Sequence, residues 1–263
     1  MFLKIVLAAV LLVGNASASP SVWVYDTAHK HVVHSNQSQT VRSIASITKL
    51  MSAMVVLDSN QSLNDQLKLT SRLSALPKQL YTRGDLLVAM LIKSDNGAAE
   101  TLADNYPGGR SVFVRTMNFK AYQLGLHNTK FQDSSGLGIG NISTAEEVGQ
   151  LILNAFDYEF IRANGNKTEA TLHYEHKRQT RAVGVNNTSQ TVLKEYRDIL
   201  VSKTGYTSMA GWCIAFITNR QYIVVVLGEP SKVKRMQQVN RLMHTITNTT
   251  PGHHGVADLA YSN

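Results

Sequence analysis

The chain has 263 residues, a formal net charge of +8, 43% hydrophobic residues and 17% charged residues. This length and apolar content allow one sizeable core, and they exclude extended disorder, collagen and coiled coils. No segment repeats with a period of about 20 to 50 residues, so solenoid and propeller folds are also excluded.

The first 18 residues have the features of a secretory signal peptide. Lys4 supplies positive charge, residues 5–13 form an apolar run, and small residues at 16–18 form a cleavage site. The run is shorter than the roughly 20 residues that a transmembrane helix needs, although an uncleaved membrane anchor is the alternative. We therefore expect cleavage after Ala18 and export of a mature protein that has no stable membrane anchor.

Strand and helix patterns then follow one another along the chain. A hairpin is predicted from residues 22–25 and 30–34 around a turn at Thr27 and Ala28. The helical spacing of apolar residues predicts a helix from Ser46 to Leu57. Capping patterns at 82–85 and 143–146 predict two further helices, which reach Leu91 and Ala155.

The last third of the chain returns to strands before a final helix. Strands are predicted at 199–204, 212–218 and 222–227, with Asn219 and Arg220 as the turn between the last two. Apolar residues from Val233 to Ile246 have helical spacing, and we expect this helix to pack on a sheet rather than on a membrane. This order predicts an α+β fold in which an antiparallel sheet, built from both termini, has a helical region inserted into it. One domain is expected at 19–247, followed by a flexible polar tail at 248–263.

Few residues suggest redox, metal or nucleic-acid chemistry. Cys213 is the only cysteine, which excludes an internal disulfide, and its apolar neighbours favour a buried structural thiol. Neither the histidines at 29–34 nor any glycine-rich loop has the spacing of a metal or phosphate site, so no metal and no cofactor is expected. The positive charge favours encounters with anionic polymers such as cell wall, although it also fits simple solubility. No nucleic-acid-binding signature accompanies it.

Ser46 and Lys49 form an S-x-x-K motif at the start of a predicted helix. Residues three apart share a helix face, so the hydroxyl and the amine can meet, and a neutral amine can remove the proton of a serine nucleophile. The motif is weak by itself, because the same spacing recurs at Ser231 and Lys234. We interpret that second copy as an exposed helix start without a function.

Two triplets complete a more specific pattern. Ser94, Asp95 and Asn96 follow an apolar helix, and a K-T-G triplet at 203–205 ends a β-rich run. Either triplet by itself is compatible with an ordinary turn or cap. S-x-x-K, S-D-N and K-T-G in this order are the trio of class A β-lactamases and penicillin-binding proteins.

The residues around the trio resemble one family in particular. Residues 42–51 are similar to the active-site segment of low-molecular-mass penicillin-binding proteins, the D-alanyl-D-alanine carboxypeptidase family, which is peptidase family S11. Residues 134–137, with Asn141 and residues 143–145, resemble the segment that follows the central helices in that family. The resemblance is strongest to the D-alanyl-D-alanine endopeptidase branch, of the penicillin-binding protein 7 type.

This likeness covers residues 22–246 and is weakest between 164 and 196. It implies a β-lactamase/DD-peptidase-like fold at 19–247 and a periplasmic enzyme of cell-wall biogenesis and cell shape. The implied reaction is hydrolysis of D-alanyl peptide bonds in peptidoglycan through an acyl-enzyme. Peptidoglycan stem peptides would be the substrates, and β-lactam antibiotics would be covalent inhibitors.

The resemblance also implies a role for each motif residue. Ser46 would attack the carbonyl, Lys49 would be the general base, and Ser94 would relay a proton to the leaving amine. The substrate-binding residues would be Asn96, Lys203, Thr204 and Gly205, and the oxyanion hole would be the backbone N–H groups of Ser46 and Tyr206. Because two buried ammonium groups repel each other, we expect Lys49 to be neutral and Lys203 to stay charged.

Three related activities are the alternatives to a cross-link-cleaving endopeptidase. A class A β-lactamase deacylates with a glutamate, usually in an E-x-x-L-N motif, which is absent between Ser94 and Lys203. Glu146 and Glu147 lie in a predicted helix cap, where stabilisation by the helix dipole explains them, so a long-lived penicilloyl adduct is expected. A silent penicillin-recognising sensor is disfavoured by the complete trio.

A carboxypeptidase that trims stem pentapeptides is the alternative closest in chemistry. Many carboxypeptidases of the family carry an added β-domain and an amphipathic anchor after the catalytic domain. The stretch after Gly205 is long enough for two strands and a helix only. This difference favours the endopeptidase branch.

Overall fold

The computed structural model describes residues 19–219 and 221–249. The expected signal peptide, Arg220 of the expected turn, and the tail beyond residue 249 lie outside the described residues. None of the helices within the described ranges is long and apolar enough to cross a bilayer.

The described strands form three antiparallel sheets. They are β1 (Ser21–Asp26), β2 (His31–Asn36), β3 (Arg42–Ser43), β4 (Gln66–Lys68), β5 (Leu80–Thr82), β6 (Ile142–Ser143), β7 (Glu169–His176), β8 (Gln179–Asn186), β9 (Ile199–Thr207), β10 (Gly211–Thr218) and β11 (Tyr222–Glu229). The largest sheet has the order β2-β1-β11-β10-β9, so strands from both ends of the chain pair as expected. A second sheet has the order β4-β5-β7-β8, and β3 pairs with β6.

Most of the described helices lie between β2 and β9 in the chain, and one follows β11. They are α1 (Lys49–Asp58), α2 (Arg83–Val88), α3 (Asn96–Asp104), α4 (Gly109–Gln123), α5 (Ala145–Phe156), α6 (Glu159–Asn164), α7 (Gln190–Glu195) and α8 (Lys232–Thr249). A 3-10 helix at Ala45–Thr48 precedes α1, and a π-helical turn at Ala89–Lys93 follows α2. The expected insertion of a helical region into the sheet is therefore confirmed.

The five-stranded sheet is covered on both faces. Val22 and Val24 of β1 pack in one core with Val239 of α8, whereas Trp23 between them packs in the larger core with Val148 of α5. Successive strand residues point to opposite faces, so a strand covered on both sides must be apolar along its whole length. This explains the unbroken apolar runs that the sequence shows in β10 and β11.

Three expected boundaries are wrong in detail. Ser46 lies on the 3-10 helix, and the α-helix begins only at Lys49. The K-T-G triplet does not end its strand, because β9 continues to Thr207 and Tyr206 pairs with Trp212 of β10. The last helix also continues beyond 247, to Thr249.

Gly149 gives α5 its close approach to the sheet. A Cβ atom at this position would lie 2.2 Å from Cζ3 of Trp23, which is 5% exposed and cannot move outward. We expect Gly149→Ala to lower the free energy of unfolding by about 1–3 kcal/mol, as overpacking of a core does. Chemical denaturation followed by circular dichroism measures this change. Gly184→Ala is the matched control, because a Cβ atom there would meet nothing within 4 Å, and an equal loss in both variants would contradict the packing argument.

Candidate active site

Ser46 lies on a tightly held 3-10 turn at the N-terminal end of α1. The preceding residue, Ala45, is fully buried and has a φ of +47°, a conformation that costs free energy for any residue except glycine. The backbone N–H of Ile44 donates to the carbonyl of Asn141 (3.1 Å), which fixes the start of the turn. Strained residues of this kind cluster at functional sites.

Lys49, one turn further along, is fully buried, yet its amine is surrounded by oxygen atoms. Nζ lies 2.9 Å from Ser46 Oγ, 2.7 Å from Asn96 Oδ1 and 2.5 Å from the carbonyl oxygen of Ser135. A buried amine needs such partners, because an unpaired polar group in a protein interior is costly. The S-x-x-K pair therefore meets as the spacing predicts.

The S-D-N turn presents its outer residues to two different lysines. Ser94 has a φ of +59° and ends the π-helical turn, and Asp95 caps α3 by accepting from Ala98 N (2.8 Å). This cap directs the Ser94 hydroxyl to Nζ of Lys203 (2.8 Å) and the amide of Asn96 to Nζ of Lys49.

The K-T-G triplet lies on β9, which is the last strand in the order of its sheet. Nζ of Lys203 donates to Ser94 Oγ and to the carbonyl of Thr204 (3.0 Å), and the Thr204 hydroxyl donates to Thr188 Oγ1 (2.7 Å). A Cβ atom on Gly205 would lie 2.8 Å from the carbonyl of Ile44, so only glycine lets the strand approach the turn that carries Ser46. The three motifs are thus brought together in one place.

A cavity of about 420 Å³ opens in front of these residues. Ser46, Ser94, Thr204, Gly205 and Tyr206 line it. Thr188 and the side chains of Lys232 and Arg235 complete other parts of its wall.

The family can now be assigned from sequence comparison. The sequence profile of the D-alanyl-D-alanine carboxypeptidase family, peptidase family S11, matches residues 13–231. The chain belongs to peptidase family S11. A D-alanyl-D-alanine endopeptidase of Escherichia coli is 34% identical over 86% of this chain and 76% of its own length. A D-alanyl-D-alanine carboxypeptidase of Bacillus subtilis is 25% identical over 81% of this chain and 58% of its own length.

Solved structures of DD-peptidases share the fold of this S11 peptidase. A mutant of the Streptomyces K15 DD-transpeptidase superposes with a TM-score of 0.80 at 25% identity, covering 87% of this chain and 97% of that one. Penicillin-binding protein D2 of Listeria monocytogenes, in its ampicillin-bound form, gives 0.77 at 26% identity and covers 86% of this chain and 95% of that one. The expected DD-peptidase-like α+β fold is therefore confirmed.

Arg235 is a cavity residue of this S11 peptidase that the sequence analysis missed. Its side chain is buried: Nη1 donates to the carbonyl of Cys213 (3.2 Å), and the guanidinium lies 5.6 Å from the ring centroid of Trp212. Its Nε is buried without a hydrogen-bond partner among the described residues. The signal was its position four residues before Val239, on the buried stripe of α8, whereas Val233 is 65% exposed.

A second feature that was missed is the carbonyl of Ser135, which contacts both Lys49 and Ser46 Oγ (3.4 Å). The sequence of residues 134–137 carries a resemblance to the family but no signal for this contact. A backbone carbonyl has no sequence signature, so its role becomes visible only in the structure.

The two buried lysines differ in their charged surroundings. Burial lowers the pKa of Lys49 to about 7, although the carboxylates of Asp133 and Asp95 oppose this effect. Burial also lowers the pKa of Lys203 well below its usual value, and the positive charges of Lys49 and Arg235 lower it further. Both shifts favour the neutral amine, which for Lys49 agrees in direction with the expectation, whereas the charged state expected for Lys203 remains a prediction.

Glu146 and Glu147, the glutamates that a β-lactamase hypothesis would need for deacylation, have structural partners. The carboxylate of Glu147 accepts from both the backbone N–H and the side-chain amide of Asn128 (2.9 Å each) and from Thr129 Oγ1 (2.5 Å). Glu146 accepts from the side chain of Gln39. Neither glutamate lines the cavity.

Cys213 is buried and its pKa is raised to about 11 by burial, so the expected structural thiol is confirmed.

Proposed function

We propose that this chain is a serine DD-peptidase that cleaves D-alanyl peptide bonds in peptidoglycan cross-links, with Ser46 as the nucleophile. The observation that carries the proposal is the contact of Ser46 Oγ with the buried amine of Lys49, opposite the Ser94–Lys203 pair. A serine becomes a strong nucleophile when an adjacent base removes its proton.

The surroundings of Lys49 fit a neutral amine that acts as this base. A neutral amine has two N–H bonds and one lone pair. Asn96 Oδ1 and the Ser135 carbonyl can accept hydrogen bonds from the two N–H groups of the amine. This arrangement directs the lone pair to the Ser46 hydroxyl. With a pKa of about 7, a substantial fraction of Lys49 is neutral at physiological pH, so the proton of Ser46 can move to Nζ as Oγ attacks the carbonyl carbon.

The remaining steps use the other motif residues. The negative oxygen that forms on the attacked carbonyl would be stabilised by the backbone N–H groups of Ser46 and Tyr206. The Ser94 hydroxyl, which contacts Lys203, would pass a proton to the leaving amine as the peptide bond breaks. A water molecule then hydrolyses the ester on Ser46 and restores the enzyme. Thr204 and Gly205 lie on the edge strand, where an extended peptide can pair with the backbone.

Positive charge in the cavity supports a leaving group that carries a carboxylate beside its amine. Arg235 and Lys232 line the same cavity as Ser46. A terminal D-alanine has such a carboxylate, and so does a cross-linking amine on a carbon that bears one. Charge recognition therefore fits both bond types, and the higher identity to an endopeptidase, 34% against 25%, favours cross-link cleavage. Trimming of stem pentapeptides as a carboxypeptidase is the second candidate.

We extend this proposal to location and inhibition. Residues 1–18 would be removed as a signal peptide, and the domain that begins at residue 19 and ends with α8 would act in the periplasm. β-Lactams would acylate Ser46, as the ampicillin-bound form of the Listeria relative suggests. Glu146 and Glu147 are held by structural partners, and none of the glutamates that the structure describes lines the cavity, which supports a long-lived adduct.

Purified muropeptides test the proposal. We expect the protein to convert a cross-linked tetrapeptide dimer into monomers at least about 10-fold faster per enzyme than it releases D-alanine from a pentapeptide monomer, a difference of about 1.4 kcal/mol in activation free energy. Chromatography with mass spectrometry measures both products. The Ser46→Ala variant, which lacks the proposed nucleophile, is the inactive control. If the protein released D-alanine faster than it cleaved the dimer, the result would favour the carboxypeptidase over the endopeptidase. Rapid turnover of nitrocefin would contradict both.

A further inference from the structure

The loop from Asp133 to Asn141 reaches the active site through its backbone, and its side chains have no part in the proposed reaction steps. The carboxylate of Asp133 lies at the centre of this loop. Oδ1 accepts from the backbone N–H groups of Ser135 (2.8 Å) and Gly136 (2.6 Å), and Oδ2 accepts from Gly138 N (2.6 Å) and Asn141 Nδ2 (3.0 Å). One side chain therefore organises the whole loop.

The loop is also fastened to the segment that carries the nucleophile. The carbonyl of Ser134 accepts from Ser52 Oγ of α1 (2.7 Å), and the carbonyl of Asn141 accepts from Ile44 N. Between these two attachments the Ser135 carbonyl accepts a hydrogen bond from Nζ of Lys49. Any change in the fold of the loop must move this carbonyl relative to the amine.

We propose that Asp133 is a positioning residue for the hydrolytic reaction: it folds the loop so that the Ser135 carbonyl orients the Lys49 amine, and its negative charge acts on that amine. This inference rests on the proposed function, because it assumes that Lys49 is the base. Asp133 itself does not touch the reacting atoms.

The titratable groups that face Lys49 come from three parts of the chain: Asp133 in the loop, Asp95 at the cap of α3, and Lys203 on β9. Burial opposes ionisation of Asp133, but the backbone N–H groups that it accepts hold its pKa below the usual value, so it is charged at neutral pH. Arg110 interacts with the same carboxylate from outside. A negative charge near an amine favours the protonated form, so Asp133 raises the pKa of Lys49 against the larger effect of burial.

Asp133→Asn tests both parts of the proposal, because it keeps the shape of the side chain and removes the charge. The measurement is the rate constant for acylation of Ser46 by fluorescent penicillin, followed from pH 5 to 9. We expect acylation to slow by about 10- to 100-fold, as misplacement of a catalytic group does. We also expect the midpoint of the pH profile to move to lower pH, because Lys49 loses its proton more readily. A midpoint at or above that of the wild type would overturn the inference, since purely structural damage lowers the rate without this shift.

Two variants separate position from charge. Asn141→Ala removes the hydrogen bonds that its side chain makes with the backbone N–H groups of Gln132 and Asp133 and with the Asp133 carboxylate, but it removes no charge, so we expect slower acylation with an unmoved midpoint. Asp157→Asn removes an exposed charge outside the cavity, and we expect both the rate and the midpoint to match the wild type. A shifted midpoint in either variant would count against the assignment to Asp133.

Asp133→Glu covers the case in which Asp133→Asn does not fold. The longer side chain keeps the charge and displaces the loop, so slower acylation at the wild-type midpoint is expected, and a wild-type rate would overturn the proposal. Failure of the proposed function looks different. In that case the wild-type protein itself would not be acylated at Ser46, whereas failure of this inference leaves wild-type acylation intact.

Discussion

Lys49→Met is expected to lower the rate constant for acylation of Ser46 by benzylpenicillin about 10³-fold or more, or about 4 kcal/mol in activation free energy. Methionine fills a similar volume but cannot accept the proton of the Ser46 hydroxyl, which lies 2.9 Å from Nζ. Under the proposed mechanism, the neutral amine of Lys49 is the active form. The rate is therefore expected to rise with pH through about 7, the pKa of Lys49, and to level off above it. The variant should lack this rise.

Stopped acylation reactions, resolved by gel fluorescence or intact mass between pH 5 and 9, measure both effects. Lys49→Arg is the companion variant, because it keeps the positive charge and cannot act as a base at any of these pH values. Lys234→Met is the matched control: it removes the exposed lysine of the second S-x-x-K motif, whose serine hydroxyl accepts from the backbone N–H of Lys234. If Lys49→Arg retained the wild-type rate, another group would have to be the base.

The comparison of the two S-x-x-K motifs also explains how much of the site can be predicted from sequence. Spacing placed Ser46 and Lys49 on one face of a turn, and the copy at 231–234 satisfies the same rule on the surface. The two copies differ because only the first forms the ordered trio with S-D-N and K-T-G. This order is recognised over the length of the chain and not in a short window of sequence. The trio was therefore predictable as a set, and its geometry agrees with the prediction.

Elements with strong local signals were also predictable. The helix after the capping pattern at 143–146 was predicted from that pattern and from its clear apolar face, although the cap lies one residue later than the pattern places it: Thr144 accepts from the backbone N–H of Glu147. The central strands were recognised because burial on both faces requires continuous apolar runs. In each case the physical requirement acts on neighbouring residues, so a short window of sequence contains it.

The β7–β8 hairpin was not predicted, and its physical setting explains why. Most of its side chains are exposed, so burial leaves only a faint alternation at Ala170, Leu172 and Tyr174. Its turn uses Lys177 and Arg178, both at positive φ, where asparagine and glycine would have signalled a hairpin. The burial of Arg235 was not predicted for a related reason. A basic residue on a basic helix is expected to be exposed, and only its position on the apolar stripe of α8 indicates that it is buried.

Gly136→Ala is expected to have the second large effect, and it acts on the fold and on the site together. Gly136 has a φ of +84°, and an added Cβ atom would lie 2.0 Å from the carbonyl oxygen of Ala45 and 2.9 Å from Ser46 N. Both contacts are backbone atoms of the turn that carries the nucleophile, so no side-chain rotation can relieve them. We expect a loss of about 2–4 kcal/mol in the free energy of unfolding, which combines the cost of the left-handed conformation with that of overpacking.

The acylation rate should fall with it, because the clash separates the turn from the Ser135 carbonyl that holds Lys49. Gly125→Ala is the matched control, since Gly125 has a φ of +73° but nothing within 4 Å of an added Cβ atom. Denaturant unfolding and penicillin acylation, measured on both variants, separate backbone strain from steric contact. In the control, the free energy of unfolding should fall only by the cost of the left-handed conformation, about 1 kcal/mol, and the acylation rate should stay at the wild-type value. Equal losses in the two variants would mean that strain by itself accounts for the requirement for glycine, and that the contact between the loop and the nucleophile turn is not a determinant of activity.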